Sequence, residues 1–222
     1  MELSERIYFV IISDIVNSRN IDNRLDVQEK YISLTDTLNR KYHPDIASKF
    51  VVTMGDEIQG LLENPKNIIA IIKEMSNTMY PNKLRFAIGV GTINTKIDFE
   101  NSIRIDGNSY HRARLCIDKI KELNKKNPST YNIMINSNNE VWDDLVNSNL
   151  MLCNALRSSW TQKQDMIVNM YETCDKDQGK TSKALSFSQS YISKTLKVVM
   201  YKNFSDALNT VSNALIKGIK YE

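Results

Sequence analysis

The sequence predicts an α+β protein, a strand-and-helix region followed by an all-helical one. Three observations carry this: strand and helix patterns alternate over the first 136 residues, residues 161–222 pattern almost only as helix, and the charge balance differs between the two parts. The chain has 222 residues, 41% of them hydrophobic and 25% charged, which excludes disordered and collagen-like classes.

Ile7 to Ser13 (IYFVIIS) is a continuous apolar run, the pattern of a strand buried on both faces. Asp22-Asn23 then offers a helix cap, and Val27, Tyr31, Leu34, Leu38 and Tyr42 make one helical face that ends before Pro44. Lys49–Met54 and Glu57–Leu62 flank Gly55-Asp56, which reads as a tight hairpin. Pro65 is expected to open a second helix with Ile68, Ile71, Ile72, Met75 and Met79 buried. Residues 84–93 return to strand, 108–125 to helix and 131–136 to strand. The order β-α-β-β-α-β matches a ferredoxin-like split βαβ arrangement, an antiparallel sheet with helices on one face. A long helix over about 138–160 is expected to lead out of it, giving domains 1–150 and 151–222.

The net charge of +3 is too mild for a protein that coats nucleic acid along its whole surface. It is an average, however. Residues 1–150 carry 19 Lys/Arg against 20 Asp/Glu, and residues 151–222 carry 10 against 6. Within 178–202 there are five lysines and no acid. No apolar run reaches the roughly 18 residues of a membrane span. The acidic N-terminus lacks a signal-peptide pattern, and Cys116, Cys153 and Cys174 form no metal-type pair. A cytoplasmic protein with packing thiols is expected, with no membrane partner.

Residues 179–197 have the grammar of a helix-turn-helix. A short helix to Leu185 meets a turn at Ser186-Phe187, and Ser188 caps the next helix. Ile192, Leu196 and Val199 would face the core. Gln189, Ser190, Tyr191, Ser193, Lys194 and Lys197 would stay outside, with Ser188 at their head, offering hydrogen bonds to base edges and charge to phosphates. Trp160-Thr-Gln-Lys-Gln164 begins the preceding helix, and residues 204–219 supply a closing one. The bland alternative is a small bundle with a solvated Lys/Ser face.

In the first region, Asp14 follows the buried strand and Asp56 sits in the hairpin turn. In a ferredoxin-like sheet these positions lie side by side, where two carboxylates could hold Mg²⁺ or Mn²⁺ beside a phosphate. Gly55 would allow positive φ and close backbone approach. Glu57, one residue on, would alternate to the other face of its strand. On the bland reading, Asp14 is a strand-end cap and Gly55-Asp56 an ordinary turn. Gly179-Lys180-Thr181 is no phosphate loop, since no strand precedes it and Cys174 stands where a Gly is needed.

Ser13-Asp-Ile-Val-Asn-Ser-Arg19, Gly55-Asp-Glu-Ile-Gln-Gly-Leu61, Arg85-Phe-Ala-Ile-Gly89, Gly107-Asn-Ser-Tyr-His-Arg-Ala113 and Trp160-Thr-Gln-Lys-Gln164 together carry a resemblance. The first four come in the order seen in class III nucleotidyl cyclase domains, and the whole chain resembles the bacterial SatD family. The resemblance implies a nucleotidyl cyclase-like domain followed by a helix-turn-helix. It also implies metal ligation by Asp14 and Asp56, and ligand contacts from Ile15, Gly55, Arg112 and Arg114. The chain departs from a working cyclase at three places. Phe50–Thr53 lacks the purine-reading Lys, His111 holds the expected Asn position, and Leu115 holds that of the transition-state Arg. Arg112 and Arg114 are out of register with that Arg, and one residue on a helix turns a side chain by about 100°.

The expectation is therefore a homodimeric, cytoplasmic transcriptional regulator that binds double-stranded DNA. Its degenerate cyclase-like domain would sense a nucleotide or other phosphorylated ligand, with Mg²⁺ or Mn²⁺ as the expected ion. The alternatives are a metal-dependent nucleotidyl cyclase or related phosphotransferase, and a module that contacts only protein.

Overall fold

β1 (Tyr8–Ile15) is the centre of the fold, buried along nearly its whole length in this computed structural model, which describes residues 6–18, 21, 23–53, 55–126 and 132–217. It pairs antiparallel with β3 (Glu57–Leu62) on one side and with β4 (Leu84–Gly91) on the other. With β2 (Ile46–Val52) and β5 (Ile133–Asn136) the sheet order is β2-β3-β1-β4-β5. Each neighbouring pair among the first four strands is antiparallel, in the order a ferredoxin-like arrangement requires, and β5 adds a parallel edge beside β4.

Alternation along β1 divides the interior into two layers. Phe9, Ile11 and Ile15 join the core with α1 (Arg24–Lys41) and α2 (Ile68–Met79). Val10 and Ile12 pack instead with Ala113, Cys116, Ile117 and Ile120 of α3 (Asn108–Lys126). The expectation of helices on one face is corrected here, because α3 covers the opposite face. The physical reason lies in Ile7–Ser13, which is apolar at successive positions and so needs a cover on both sides. Gly89 lets that cover come close: a Cβ there would lie 1.9 Å from the Ser109 carbonyl oxygen and 2.5 Å from the Ala113 nitrogen.

Several ends differ from the sequence reading. Asn23 stands at the N-cap of α1, yet its amide donates to Asp26 (2.8 Å) instead of capping the helix. β2 begins at Ile46, three residues early. Pro65 precedes the start of α2, with the Ile68 N–H donating to its carbonyl (3.2 Å). Asp22, Met54, Tyr131 and Ile219 lie outside the described residues.

α4 (Glu140–Ser158) starts at Asn139, whose side chain accepts from the Trp142 N–H, and residue 150 falls inside it. It packs on β5 and on α8 (Tyr201–Lys217). Between them come α5 (Gln162–Thr173), α6 (Gln178–Leu185) and α7 (Gln189–Val198). Thr161 and Gln164 form a reciprocal capping box at the start of α5, satisfying two otherwise orphaned N–H groups. Trp160 and Phe204 meet edge to face at 5.2 Å. Leu150, Trp160, Ile167, Ile192 and Phe204 belong to the same buried cluster as Ile11 and Met75, so the apolar core runs unbroken from the sheet into the C-terminal helices. Among the described residues no helix is long and apolar enough to cross a membrane.

Candidate functional site

Strand pairing sets Asp14 opposite Glu57 on β3 and opposite Arg85 on β4. Directly paired side chains project from the same face, so Asp14, Glu57 and Arg85 all face α3. Glu57, expected on the face away from the site, is therefore part of it. Asp14 is 5% exposed, and each of its oxygens meets a cation. Arg85 Nη1 donates to Oδ1 at 2.9 Å, and Lys121 Nζ lies 2.8 Å from Oδ2. Glu57, 6% exposed, accepts both ends of the Arg114 guanidinium at 2.6 and 2.9 Å. That hydrogen bonding holds the Arg114 pKa above its ordinary value. Arg114 and Lys121 lie seven residues apart on α3, two turns, which puts them on one side of the helix. Both are half-exposed, so positive charge lines the outer side of two buried carboxylates.

Asp56 lies beside this group. Its carbonyl accepts from the Ile15 N–H at 3.1 Å, and its carboxylate accepts from the Ser18 hydroxyl. Gly55 has φ +77° with no atom within 4 Å of a Cβ built there, so the turn uses glycine for its conformation. Ile15, expected to touch ligand, has its side chain in the core with α1 and α2. Arg112 turns away from Asp14, donating from Nη1 to the Val90 carbonyl. The structure thus gathers Asp14, Asp56, Gly55 and Arg114, adds Ser18, Glu57, Arg85 and Lys121, and places Arg112 elsewhere. On the other side of β1, Tyr31 donates to the Ser13 carbonyl at 3.1 Å. Burial raises its phenol well above the ordinary value, and the charges of Asp14, Asp56 and Glu57 add to that, so Tyr31 stays a donor.

A divalent ion does not fit this arrangement. Mg²⁺ needs near-octahedral oxygen ligation at about 2.0–2.1 Å, and both oxygens of Asp14 and both of Glu57 already hold cationic side chains. Asp14 and Glu57 meet three cationic side chains between them, Arg85, Lys121 and Arg114, so their charge is already offset before any ion enters. Among the described residues no three His, Cys, Asp or Glu side chains are grouped to hold a metal.

His111 is exposed and pairs with Asp106 at 3.1 Å. Leu115 is 62% exposed and borders a polar cleft with Cys116, Lys119, Asn136, Ser137, Asp143 and Asp144. Burial and the Asp143 charge push the Cys116 thiol up to about 12, so it is a packing group, as expected.

In the C-terminal part, α6 and α7 are joined by a turn in which Ser186 takes φ +55°, a left-handed conformation normally given to glycine. Ser188 caps α7, its hydroxyl accepting from the Tyr191 N–H at 3.2 Å. Ile192, Leu196 and Val199 are buried. Ser188, Gln189, Ser190, Tyr191, Lys194 and Lys197 are exposed, while Ser193, expected outside, is half-buried. Lys163 of α5 joins this surface, its ammonium 4.6 Å from the Phe187 ring centre and 4.9 Å from that of Tyr191. Sequence reading missed Lys163 because it stands outside the basic run. Its only signal in the sequence is its place in the Trp160–Gln164 phrase.

The fold and site define an α+β protein with a buried, charge-balanced carboxylate group at the end of its central strand. The model of the SatD family matches residues 8–215, and the chain belongs to that family. No curated protein matches it.

Proposed function

We propose that this protein is a cytoplasmic DNA-binding transcriptional regulator, with a cyclase-like α+β part (1–150) that senses a nucleotide or other phosphorylated ligand. The observation that carries the reading is the α6–turn–α7 pair. Its second helix is anchored by Ile192, Leu196 and Val199 and presents Gln189, Ser190, Lys194 and Lys197 to solvent. Amide and hydroxyl groups suit base edges, and lysines suit phosphates. Lys163 widens the basic surface from a neighbouring helix, held over two rings by the attraction of a cation to an aromatic face.

On this reading the protein acts as a homodimer, since two copies related by a two-fold axis can place paired helices about 34 Å apart on one face of a duplex. Half-exposed Arg114 and Lys121 supply the charge that a phosphorylated ligand would meet. Ligand then regulates DNA binding only through different affinity for competent and incompetent dimers.

The test is selection of genomic fragments by the purified protein, followed by fluorescence anisotropy on a retained fragment. Lys194→Ala and Lys197→Ala are each expected to weaken binding to all sequences. Each is also expected to lower the salt slope by about 0.9 for every phosphate that is no longer neutralised. Affinity and slope unchanged in both variants would remove the proposal. The rival reading, a metal-dependent nucleotidyl cyclase or phosphotransferase, rests on the Ile15 N–H bond to the Asp56 carbonyl, which holds Asp56 beside the end of β1. It requires a metal to displace the cations now on Asp14, and it predicts a cyclic or oligomeric product from ATP or GTP with Mn²⁺. That product would vanish in Asp56→Asn.

A further inference from the structure

The buried end of β1 carries its own counter-ions. Asp14 and Glu57 pair across neighbouring strands, and their four oxygens meet Arg85, Lys121 and both ends of Arg114 at 2.6 to 2.9 Å. Asp14 is 93% buried by side chain and Glu57 92% (side-chain exposures of 7% and 8%). Charges so placed are costly unless paired, and pairing is complete here without any ion. The two cations from α3 are half-exposed while the carboxylates they hold are buried, so both carboxylates are capped by positive charge on their α3 side.

We propose that Lys121 stands in for a divalent metal at this site, so that the folded protein holds the Asp14–Asp56–Glu57 group without Mg²⁺ or Mn²⁺. The Lys121 ammonium, 2.8 Å from Asp14 Oδ2, sits where a metal would take its first carboxylate oxygen. Arg85 and Arg114 complete the neutralisation. A divalent ion added to this group meets three positive side chains, and repulsion between charges a few ångströms apart in a partly buried site is large. Removing Lys121 changes the balance by one unit and opens one oxygen of Asp14, leaving Arg85 to keep that carboxylate paired and the strand in place. The inference is independent of whether α7 binds DNA.

Mn²⁺ titration of the full chain, followed by the electron paramagnetic resonance signal of free Mn²⁺, decides it. The unaltered protein is expected to leave that signal undiminished at millimolar Mn²⁺. Lys121→Gln is expected to take up the ion with affinity raised about tenfold or more, and Lys121→Gln combined with Asp14→Asn is expected to lose it again. Lys121→Arg, which keeps the charge, is expected to behave as the unaltered chain. Mn²⁺ uptake by the unaltered protein that disappears in Asp14→Asn would overturn the proposal. So would a folded Lys121→Gln, shown by an unchanged circular dichroism spectrum, that gains no affinity. If Lys121→Gln fails to fold, the unaltered protein and Lys121→Arg still decide it, since Mn²⁺ uptake by either that disappears when Asp14→Asn is added contradicts a lysine in the metal's place.

Discussion

Ser137 donates both its backbone N–H and its hydroxyl to Asp143, each at 2.7 Å, closing the β5–α4 connection on a nearly buried carboxylate. Burial raises the Asp143 pKa above the ordinary 3.8, and the two bonds from Ser137 only partly oppose this. A carboxyl whose pKa is raised by folding favours the folded state most when protonated. That contribution is fully present below the ordinary carboxylate range and is lost as pH rises through the raised value. Asn at position 143 keeps an acceptor and removes the titration. Melting temperatures of the unaltered chain and Asp143→Asn, measured from about pH 4 to pH 7, are expected to show the unaltered chain losing ground as pH rises. A difference independent of pH would contradict the assignment.

Gly89 is a point of very close approach between α3 and the sheet. A methyl group there would penetrate the backbone of Ser109 and Ala113, which no side-chain rotation can relieve. Gly89→Ala is expected to cost about 3 kcal/mol, at the upper end of the range for overpacking. Urea unfolding measures it, and a loss below about 1 kcal/mol would mean that α3 slides freely on β4.

The α6–α7 turn gives two opposed effects. Ser186→Gly removes a Cβ from a left-handed residue and is expected to raise stability by about 0.5–1 kcal/mol. Ser188→Ala removes the cap of α7 and is expected to lower it by about 1 kcal/mol. Both are read from thermal unfolding, and effects of the same sign would refute this turn geometry.

Local chemistry made the C-terminal helices legible. The turn at Ser186, the cap at Ser188 and the buried Ile192–Leu196–Val199 stripe all depend on residues a few positions apart. The central strand and the hairpin were legible for the same reason. The carboxylate group was only half so. Asp14 and Asp56 announce themselves by following a strand and filling a turn. Arg85 and Lys121 reach Asp14 across 71 and 107 residues, through a strand register and a helix face that local pattern does not reveal. Local alternation puts Glu57 on the far side of its strand, but the ladder pairs it directly with Asp14, and that register is not visible in the hairpin's own sequence. The cover over the second face was implied by the apolar run in β1, but nothing nearby in sequence named α3 as the element that supplies it.

α4 touches β5 on one flank and α8 on another, and it crosses residue 150 without a break. Between the two halves of the chain there is thus a continuous rod of 19 residues, roughly 28 Å long, in place of a glycine-rich tether. A helix of that kind transmits displacement as a beam does. If β5 shifts, α8 must follow, or voids open in a core where poorer packing is costly. The angle at which α7 faces its surroundings is therefore set by the same packed interior that fixes the sheet.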